Sequence, residues 1–378
     1  MRAALASMRL VTWSLVPVLL AGGLLLALFA HRRAAADEGL VLNVYNLPDY
    51  IGEHTIADFE KLTGIRVNYD VYDSDATLET KLEVGHSGYD VAVVSDGFLG
   101  REAGAGLFRP LDKTELPNLK NIDPTVLRAA SVFDPGNAFS VPYFWGTIGI
   151  GMNVLKIQAR MPDAPVDSLD MVFKPDLVKK FAGCGVAILD DPGDMLEIIL
   201  NYLGYSPYTA KKADYQAAED LLKRVRPYIK YFHPSRYADD MANGEICLAI
   251  GWNGDFQNAR RRAEEAKNGN IIDYRIPVEG TQIWIDNLAM PADAPNPVNA
   301  HKFINYLMEP QVAADGANFV NYASPNLAAT PLVKDALRYD PDTYPDPDMM
   351  AKLFPDKPAT PAVERLRSRT WARIKEGE

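Results

Sequence analysis

A tryptophan and an aspartate follow a predicted buried strand within a few residues. The apolar run 247–250 fits a short strand better than a helix, and Trp252 and Asp255 come just after it. A charged helical pattern at 256–267 predicts that Asp255 is the N-cap of the next helix. Open α/β sheets bind ligands at the carboxyl ends of their strands, where an indole face beside a carboxylate suits an organic cation. The alternative is a core tryptophan next to an ordinary helix cap.

Carboxylates and aromatic rings follow several other predicted strands in the same way. If these side chains converge on one cleft, they form an anionic slot with aromatic walls. Carboxylates replace the hydration of the ammonium groups of a diamine, and flat apolar walls cover its methylene stem. The candidate ligand-binding residues are Asp49, Tyr50, Ser95, Asp96, Asp191, Asp194, Trp252, Asp255, Trp284, Asp286 and Tyr322.

The elements that must position these residues predict an α/β fold. Nearly all-apolar or β-branched strand patterns at 40–45, 65–72 and 89–94 alternate with helical patterns, which implies a parallel sheet. Two short strand patterns at 139–143 and 147–152 indicate a crossover into a second lobe.

The chain is expected to return to the first lobe through strands at 274–277 and 282–289. Closely spaced prolines then mark an irregular tail before a final basic helix. The expected segments are 1–36, a signal peptide or N-terminal anchor; 37–146, the first part of lobe 1; 147–255, lobe 2; 256–330, the second part of lobe 1; and 331–378, the C-terminal tail and helix.

The composition is that of an acidic globular protein. Its 378 residues, 48% of them hydrophobic, are sufficient for two lobes with a sizeable core. The formal net charge of −11 argues against nucleic acid as a partner. Walker, CxxC, HExxH and GxSxG motifs are absent, and the five histidines lack zinc-binding spacing. We therefore expect no enzymatic activity, no cofactor and no metal.

The first 36 residues have the composition of an export segment. The uncharged run 11–30 is preceded by Arg2 and Arg9, and the alanines at 34–36 supply small residues for cleavage. The run is also just long enough to span a bilayer, and a basic pair after it is unusual in a cleaved signal. We favour export to the periplasm with cleavage, and a retained membrane anchor is the alternative.

Cys184 and Cys247 are the two cysteines of the chain. An even pair in an exported protein suggests one disulfide. Two buried free thiols would be expected instead if the protein stayed in the cytosol.

A set of short stretches in the chain carries a resemblance to a known family. The two most specific stretches are Gly251-Trp252-Asn253-Gly254-Asp255 and Ala328-Ala329-Thr330-Pro331-Leu332. The others lie at 45–46, 49–50, 59–65, 69–74, 88–91, 142–146, 242–247 and 288–294. Over residues 40–375 the chain resembles the periplasmic putrescine/spermidine-binding proteins of ABC importers. The resemblance implies a two-lobed periplasmic binding protein of type II, with two crossover strands and the ligand in the interlobe cleft.

The resemblance also implies roles for single residues. Asp255 and Asp286 would hold one ammonium, Asp194 would be an acid near the other end of the ligand, and Asp49 would be an outer acid. An aromatic box would be formed by Tyr50, Trp252, Trp284 and Tyr322, with Ser95 as a polar wall residue. Cys184 and Cys247 would form a disulfide.

The sequence departs from the family pattern at Leu47-Pro48, where the family has Trp-Ser. A lost cation–π contact is worth about 0.5–2 kcal/mol, so binding should be roughly tenfold weaker or the ligand altered. Asp96 and Asp191 add acids near the slot, which favours a longer or more highly charged polyamine.

We therefore predict an exported, monomeric receptor for a polyamine such as putrescine or spermidine. It would deliver its ligand to the membrane subunits of an ABC importer by lobe closure. Two alternatives stay open: a binding protein for another organic cation, and a membrane-tethered sensory polyamine receptor, which a retained anchor would favour.

Overall fold

One long strand, β4 (Ser140–Asn153), belongs to two sheets and connects them. Its first half pairs with β9 (Gln282–Ala289) in one sheet, and its second half pairs with β7 (Leu248–Trp252) and β8 (Ile272–Arg275) in the other. All 14 residues of β4 are buried, which its apolar and glycine-rich sequence permits. Each sheet forms the centre of one lobe.

The computed structural model describes residues 39–72, 75–357 and 359–376. The predicted export segment 1–36, with its expected cleavage site, lies outside these ranges. Within the ranges, no helix is both long enough and apolar enough to cross a membrane.

Lobe 1 contains a mixed sheet with the strand order β2-β1-β3-β9-β4. The strands β1 (Val41–Asn46), β2 (Arg66–Val71) and β3 (Val91–Ser95) are parallel, whereas β9 runs antiparallel to β3 and β4. A short strand near the C-terminus, β10 (Phe354–Pro355), pairs in parallel with β9. The helices of this lobe are α1 (Thr55–Thr63), α2 (Asp75–Glu83), α3 (Asp96–Gly104), α4 (Pro124–Ala130), α12 (Pro297–Leu307), α13 (Pro310–Val320) and α14 (Asp335–Arg338). The short helix α15 (Pro347–Met350) lies in the tail, where Met349 packs against the core of lobe 2.

Lobe 2 surrounds a sheet with the order β8-β4-β7-β5-β6. The strand β5 (Val186–Leu189) is parallel to both of its neighbours, β7 and β6 (Tyr231–His233). Every side chain of β5 is buried, as expected of a central strand covered by helices on both faces. The helices of this lobe are α5 (Val154–Gln158), α6 (Asp170–Phe173), α7 (Pro175–Val178), α8 (Pro192–Tyr202), α9 (Lys212–Val225), α10 (Arg236–Ala242), α11 (Asn253–Ala266) and α16 (Pro361–Glu376).

The crossover differs from the two short strands expected at 139–143 and 147–152. Phe144 and Gly146 continue the pairing with β9, so the two patterns are one strand with a register shift after Pro142. Glycine and tryptophan between two apolar runs resemble a turn in the sequence. Here the glycine is required because a methyl group at residue 146 would lie 2.4 Å from the Trp284 ring.

The expected boundary of lobe 2 at residue 255 is wrong. The apolar side of α11, including Phe256 and Ala259, packs in the core of lobe 2 together with Tyr274 of β8. The strand expected at 274–277 in lobe 1 therefore belongs to lobe 2, and the chain returns to lobe 1 at β9. Helical periodicity predicts an apolar stripe, but it does not identify the sheet that the stripe covers.

The C-terminal tail crosses between the lobes once more. After β10 pairs with β9 of lobe 1, Trp371 and Ile374 of α16 pack in the core of lobe 2. The sequence predicted this helix but not its partner. A further helix, α13, is absent from the sequence-based expectations; it begins at Pro310, and proline is favoured in the first turn of a helix.

Cys184 and Cys247 form a disulfide with Cα atoms 5.6 Å apart, which confirms the predicted pairing. The bond joins the segment before β5 to the start of β7, two neighbouring strands of lobe 2. It closes a loop with a sequence separation of 63 residues.

Replacing both cysteines by alanine should lower the free energy of unfolding by about 2–4 kcal/mol, because the unfolded chain regains the entropy of an open loop. Denaturant titration of the wild type and the double variant measures this difference. Reduced wild-type protein serves as the control and should unfold like the variant; equal stability of oxidised wild type and variant would contradict the prediction.

Candidate functional site

A cleft of about 480 Å³ lies between the two lobes. Nine of the eleven predicted residues line it, and they come from both lobes. These nine are Tyr50, Ser95, Asp96, Asp191, Asp194, Trp252, Trp284, Asp286 and Tyr322.

The ends of three strands bring these side chains together. Ser95 is the last residue of β3, and it lies directly opposite Asp286 of the antiparallel strand β9. Trp252 is the last residue of β7 and faces the cleft from lobe 2. Because side chains alternate along a strand, Trp284 and Asp286 share one face of β9 and both reach the cleft.

Two predicted residues do not line the cleft. Asp49 is exposed in the turn after β1, with a positive φ of 56°. Asp255 does not cap α11: the helix begins at Asn253, and Asp255 lies in its first turn. Its carboxylate instead accepts a hydrogen bond from the hydroxyl of Tyr237.

Asp255 nevertheless acts on the cleft electrostatically. Burial raises the pKa of its carboxyl group to about 6, although the Tyr237 hydrogen bond lowers it. Its charge also contributes, after burial, to raising the pKa of Tyr322, which lines the cleft. Asp255 therefore lies behind the tyrosine rather than on the wall.

The aromatic side chains of lobe 1 form a connected wall. Trp284 and Tyr322 meet edge to face with ring centroids 5.1 Å apart, and Tyr50 meets Tyr322 in the same way at 5.6 Å. The Tyr50 hydroxyl donates a hydrogen bond of 2.6 Å to Oδ2 of Asp286. This bond fixes the carboxylate against the aromatic wall, which is the arrangement that an ammonium with an attached methylene chain requires.

The other end of the cleft is acidic. Asp191 caps α8 by accepting hydrogen bonds from the backbone N–H groups of Gly193 and Asp194 at 2.8 and 3.0 Å. Burial raises the pKa of Asp194 well above its usual range, and repulsion from Asp191, Asp356 and Asp96 raises it further. The pKa of Asp96 is raised for the same reasons, with burial first and the charge of Asp356 second.

Sequence reasoning missed four residues that line the cleft: Gly97, Gln282, Ile283 and Asp356. Gln282 could have been found, since it shares a strand face with Trp284 and Asp286 at steps of two residues. Asp356 had no signal, because it lies in the proline-rich tail and reaches the cleft only through the pairing of β10 with β9. Leu47, which replaces a family aromatic residue, also lines the cleft.

Residues 54–349 match the family of bacterial extracellular solute-binding proteins. The chain belongs to this family. It is 47% identical to the putrescine-binding periplasmic protein PotF of Escherichia coli, over 95% of this chain and 97% of the relative. It is 48% identical to the putrescine-binding periplasmic protein SpuD of Pseudomonas aeruginosa, over 91% of this chain and 94% of the relative.

The fold of this solute-binding protein also matches solved structures. The spermidine/putrescine ABC transporter substrate-binding protein PotD from Streptococcus pneumoniae superposes with a TM-score of 0.80 at 29% identity, covering 89% of this chain and 99% of the other. The predicted two-lobed type II architecture and the predicted family are confirmed. In the described ranges, no three or more His, Cys, Asp or Glu side chains are grouped so as to hold a metal ion.

Gly254 of α11 lies tightly against the aromatic wall of lobe 1. A methyl group at this position would lie 1.7 Å from Cζ of Tyr322, which packs against the core of lobe 1. Only glycine therefore permits the contact between α11 and this wall of the cleft.

We expect Gly254→Ala to weaken binding of a polyamine, the ligand predicted from the sequence, by roughly tenfold or more, since overpacking costs about 1–3 kcal/mol. Isothermal titration calorimetry measures the change. Gly104→Ala is the matched control, because a methyl group there meets nothing within 4 Å. Unchanged affinity in Gly254→Ala would show that binding does not require this contact.

Proposed function

We propose that this protein captures a polyamine in the periplasm and delivers it to the membrane subunits of an ABC importer by lobe closure. The observation that carries the proposal is an interlobe cleft lined by five aspartates and by aromatic rings from both lobes. The relatives named putrescine-binding periplasmic proteins, at 47% and 48% identity, support the same ligand class.

One ammonium of the ligand binds at Asp286, whose carboxylate is oriented by Tyr50. The rings of Trp252, Trp284 and Tyr322 cover the methylene stem from both lobes. The second ammonium binds at Asp96, the next carboxylate along the cleft, on the side that faces Asp194. Each ammonium replaces its hydration by charge-assisted hydrogen bonds, which are stronger in a site of low dielectric constant.

Closure follows from the division of these contacts between the lobes. Asp286 and Tyr322 belong to lobe 1, whereas Asp194 and Trp252 belong to lobe 2. A ligand that contacts both lobes binds the closed state more tightly than the open one and shifts the population toward it. We infer that the closed protein acts as a monomer and presents this state to the importer, and that Asp49 and Asp255 act only on the approach and on Tyr322.

A second candidate ligand class is another organic cation. Leu47 lines the cleft where the polyamine-binding family pattern has tryptophan, so one aromatic contact is replaced by an aliphatic one. This change favours a cation that needs less stacking and more charge compensation.

Thermal unfolding with putrescine, spermidine, cadaverine, spermine and agmatine tests the proposal, using protein refolded to remove bound ligand. A polyamine at 100 times its dissociation constant should stabilise the wild type by about 2.7 kcal/mol. Asp286→Asn should lose most of this stabilisation, because it removes the charge that Tyr50 orients.

Asp58→Asn, an exposed residue of α1, is the matched control and should respond like the wild type. If other organic cations stabilise the protein and no polyamine does, the ligand belongs to the second candidate class. Equal stabilisation of wild type and Asp286→Asn would refute the assigned ammonium site.

Polyamine affinity should fall as the pH is lowered from 8 toward 5. Burial, with repulsion from neighbouring carboxylates, raises the pKa of Asp96, Asp194 and Asp356 above the usual aspartate value of about 4, so these carboxyl groups take up protons at a higher pH than an ordinary aspartate does. A bound cation favours the ionised carboxylates, and binding therefore releases protons.

Calorimetry across this pH range, in buffers of different ionisation enthalpy, measures both effects. In Asp194→Asn, one titrating group is gone, so the affinity should depend less steeply on pH. A pH-independent affinity of the wild type would contradict the prediction. The stability of the unliganded protein depends on pH in the opposite direction. Each raised pKa makes the folded state bind more protons than the unfolded state, so the stability that these groups contribute falls as the pH rises.

A further inference from the structure

Asp356 lies beyond the family match at 54–349, yet its side chain lines the cleft. The parallel pairing of Pro355 with Ile283 brings it there, since one further step along both strands places Asp356 beside Trp284. Its Oδ2 atom would lie 3.4 Å from a methyl group built at Gly97, which is ordinary contact and places the carboxylate beside the start of α3.

A buried ion pair stands behind Asp356. Arg367 of α16 donates a hydrogen bond to Oε1 of Glu197 on α8, and these residues are 4% and 0% exposed. Burial, followed by the charge of the nearby Asp356, raises the pKa of Glu197 to about 10, and the charge of Arg367 acts to lower it. Arg367 is thus already paired with Glu197, so the side of Asp356 that faces the cleft can bind another cation.

The carboxylates of the cleft are arranged in a row rather than in two groups. Asp96 follows Ser95, which lies opposite Asp286, and it is close enough to Asp286 and Asp356 for both charges to raise its pKa. Asp194 lies beyond, near Asp356 and hydrogen-bonded by Gln282. The order from the aromatic end is therefore Asp286, Asp96, and then Asp356 with Asp194.

Two buried acceptor atoms on this row point to a donor from a ligand. Asp96 is 6% exposed and Gln282 is 1% exposed, and both line the cleft. Among the described residues, no donor reaches Oδ2 of Asp96 or Oε1 of Gln282. Buried acceptors of this kind are costly unless they are hydrogen-bonded.

The length of the row can be compared with candidate ligands along β9. Asp286 and Gln282 are four residues apart on one strand face, which corresponds to roughly 13 Å at about 3.4 Å per residue. From ordinary bond lengths, an extended four-carbon diamine spans about half of this distance. A triamine with one three-carbon and one four-carbon spacer spans most of it.

We propose that Asp356, together with Asp194, forms a subsite for a third ammonium, so that this protein selects a linear triamine over a diamine. This inference rests on the proposed polyamine-binding function and adds the preferred number of charges. A diamine held at Asp286 and Asp96 leaves the carboxylates at the far end uncompensated. A triamine supplies the additional cation there, and its internal secondary ammonium provides two N–H donors in the middle of the row.

Calorimetric titration of the purified protein with putrescine and spermidine tests the preference. The wild type should bind spermidine about tenfold or more tightly than putrescine, as expected for one additional charge-assisted hydrogen bond. Asp356→Asn should weaken spermidine binding by about the same factor and putrescine binding by less than about threefold.

Two further variants make the result specific. Asp348→Asn removes an exposed charge from the same tail and should leave both affinities unchanged. Asp356→Glu keeps the charge and should retain part of the triamine preference even if Asp356→Asn disturbs the fold, which the unfolding midpoint without ligand reports.

A wild-type preference for putrescine, or an equal change for both amines in Asp356→Asn, would overturn the triamine subsite while leaving polyamine binding intact. A wild type that binds neither amine would instead refute the proposed function, so the two failures are distinguishable.

Discussion

Uncompensated negative charge in a partly buried cleft is the interaction on which the site depends. Asp194 and Asp96 are desolvated and repel neighbouring carboxylates, so burial and repulsion both raise the pKa of each group. Such an arrangement is unfavourable without a cation. Because Asp194 comes from lobe 2 and Asp96 from lobe 1, bringing the lobes together without a ligand increases the repulsion. Under the proposed polyamine-binding function, a polycation reverses this balance and thereby couples binding to closure.

The frame that holds these charges has three connections between the lobes. β4 lies in both sheets, the chain returns from β8 to β9, and the tail runs from β10 on one lobe to α16 on the other. The third connection passes directly beside the cleft through Asp356. Closure therefore has to move or bend a segment that also contributes to the site, and the buried Arg367–Glu197 pair anchors that segment to lobe 2.

Two residues of the wall change the balance of forces in opposite ways. Leu47 removes an aromatic ring that the family pattern contains, whereas Asp356 adds a carboxylate from the tail. A cation–π contact is worth about 0.5–2 kcal/mol, and a hydrogen bond to a charged group about 1.5–3 kcal/mol. For the proposed polyamine ligand, these two changes weaken stacking and strengthen charge compensation, which favours a ligand with more ammonium groups.

The sequence by itself determined the α/β class and most of the residues that line the cleft, because strand ends carry their side chains to one edge of a sheet wherever the strands lie. The family and the disulfide pairing followed from the resemblance of its motifs to known binding proteins. The tertiary structure alone decided which core each helix covers, as for α11, and that Asp255 bonds to Tyr237 instead of lining the cleft. It also decided the position of Asp356. Periodicity is a local property of the chain, whereas a contact between β10 and β9 joins residues about seventy positions apart and depends on packing that no local pattern encodes.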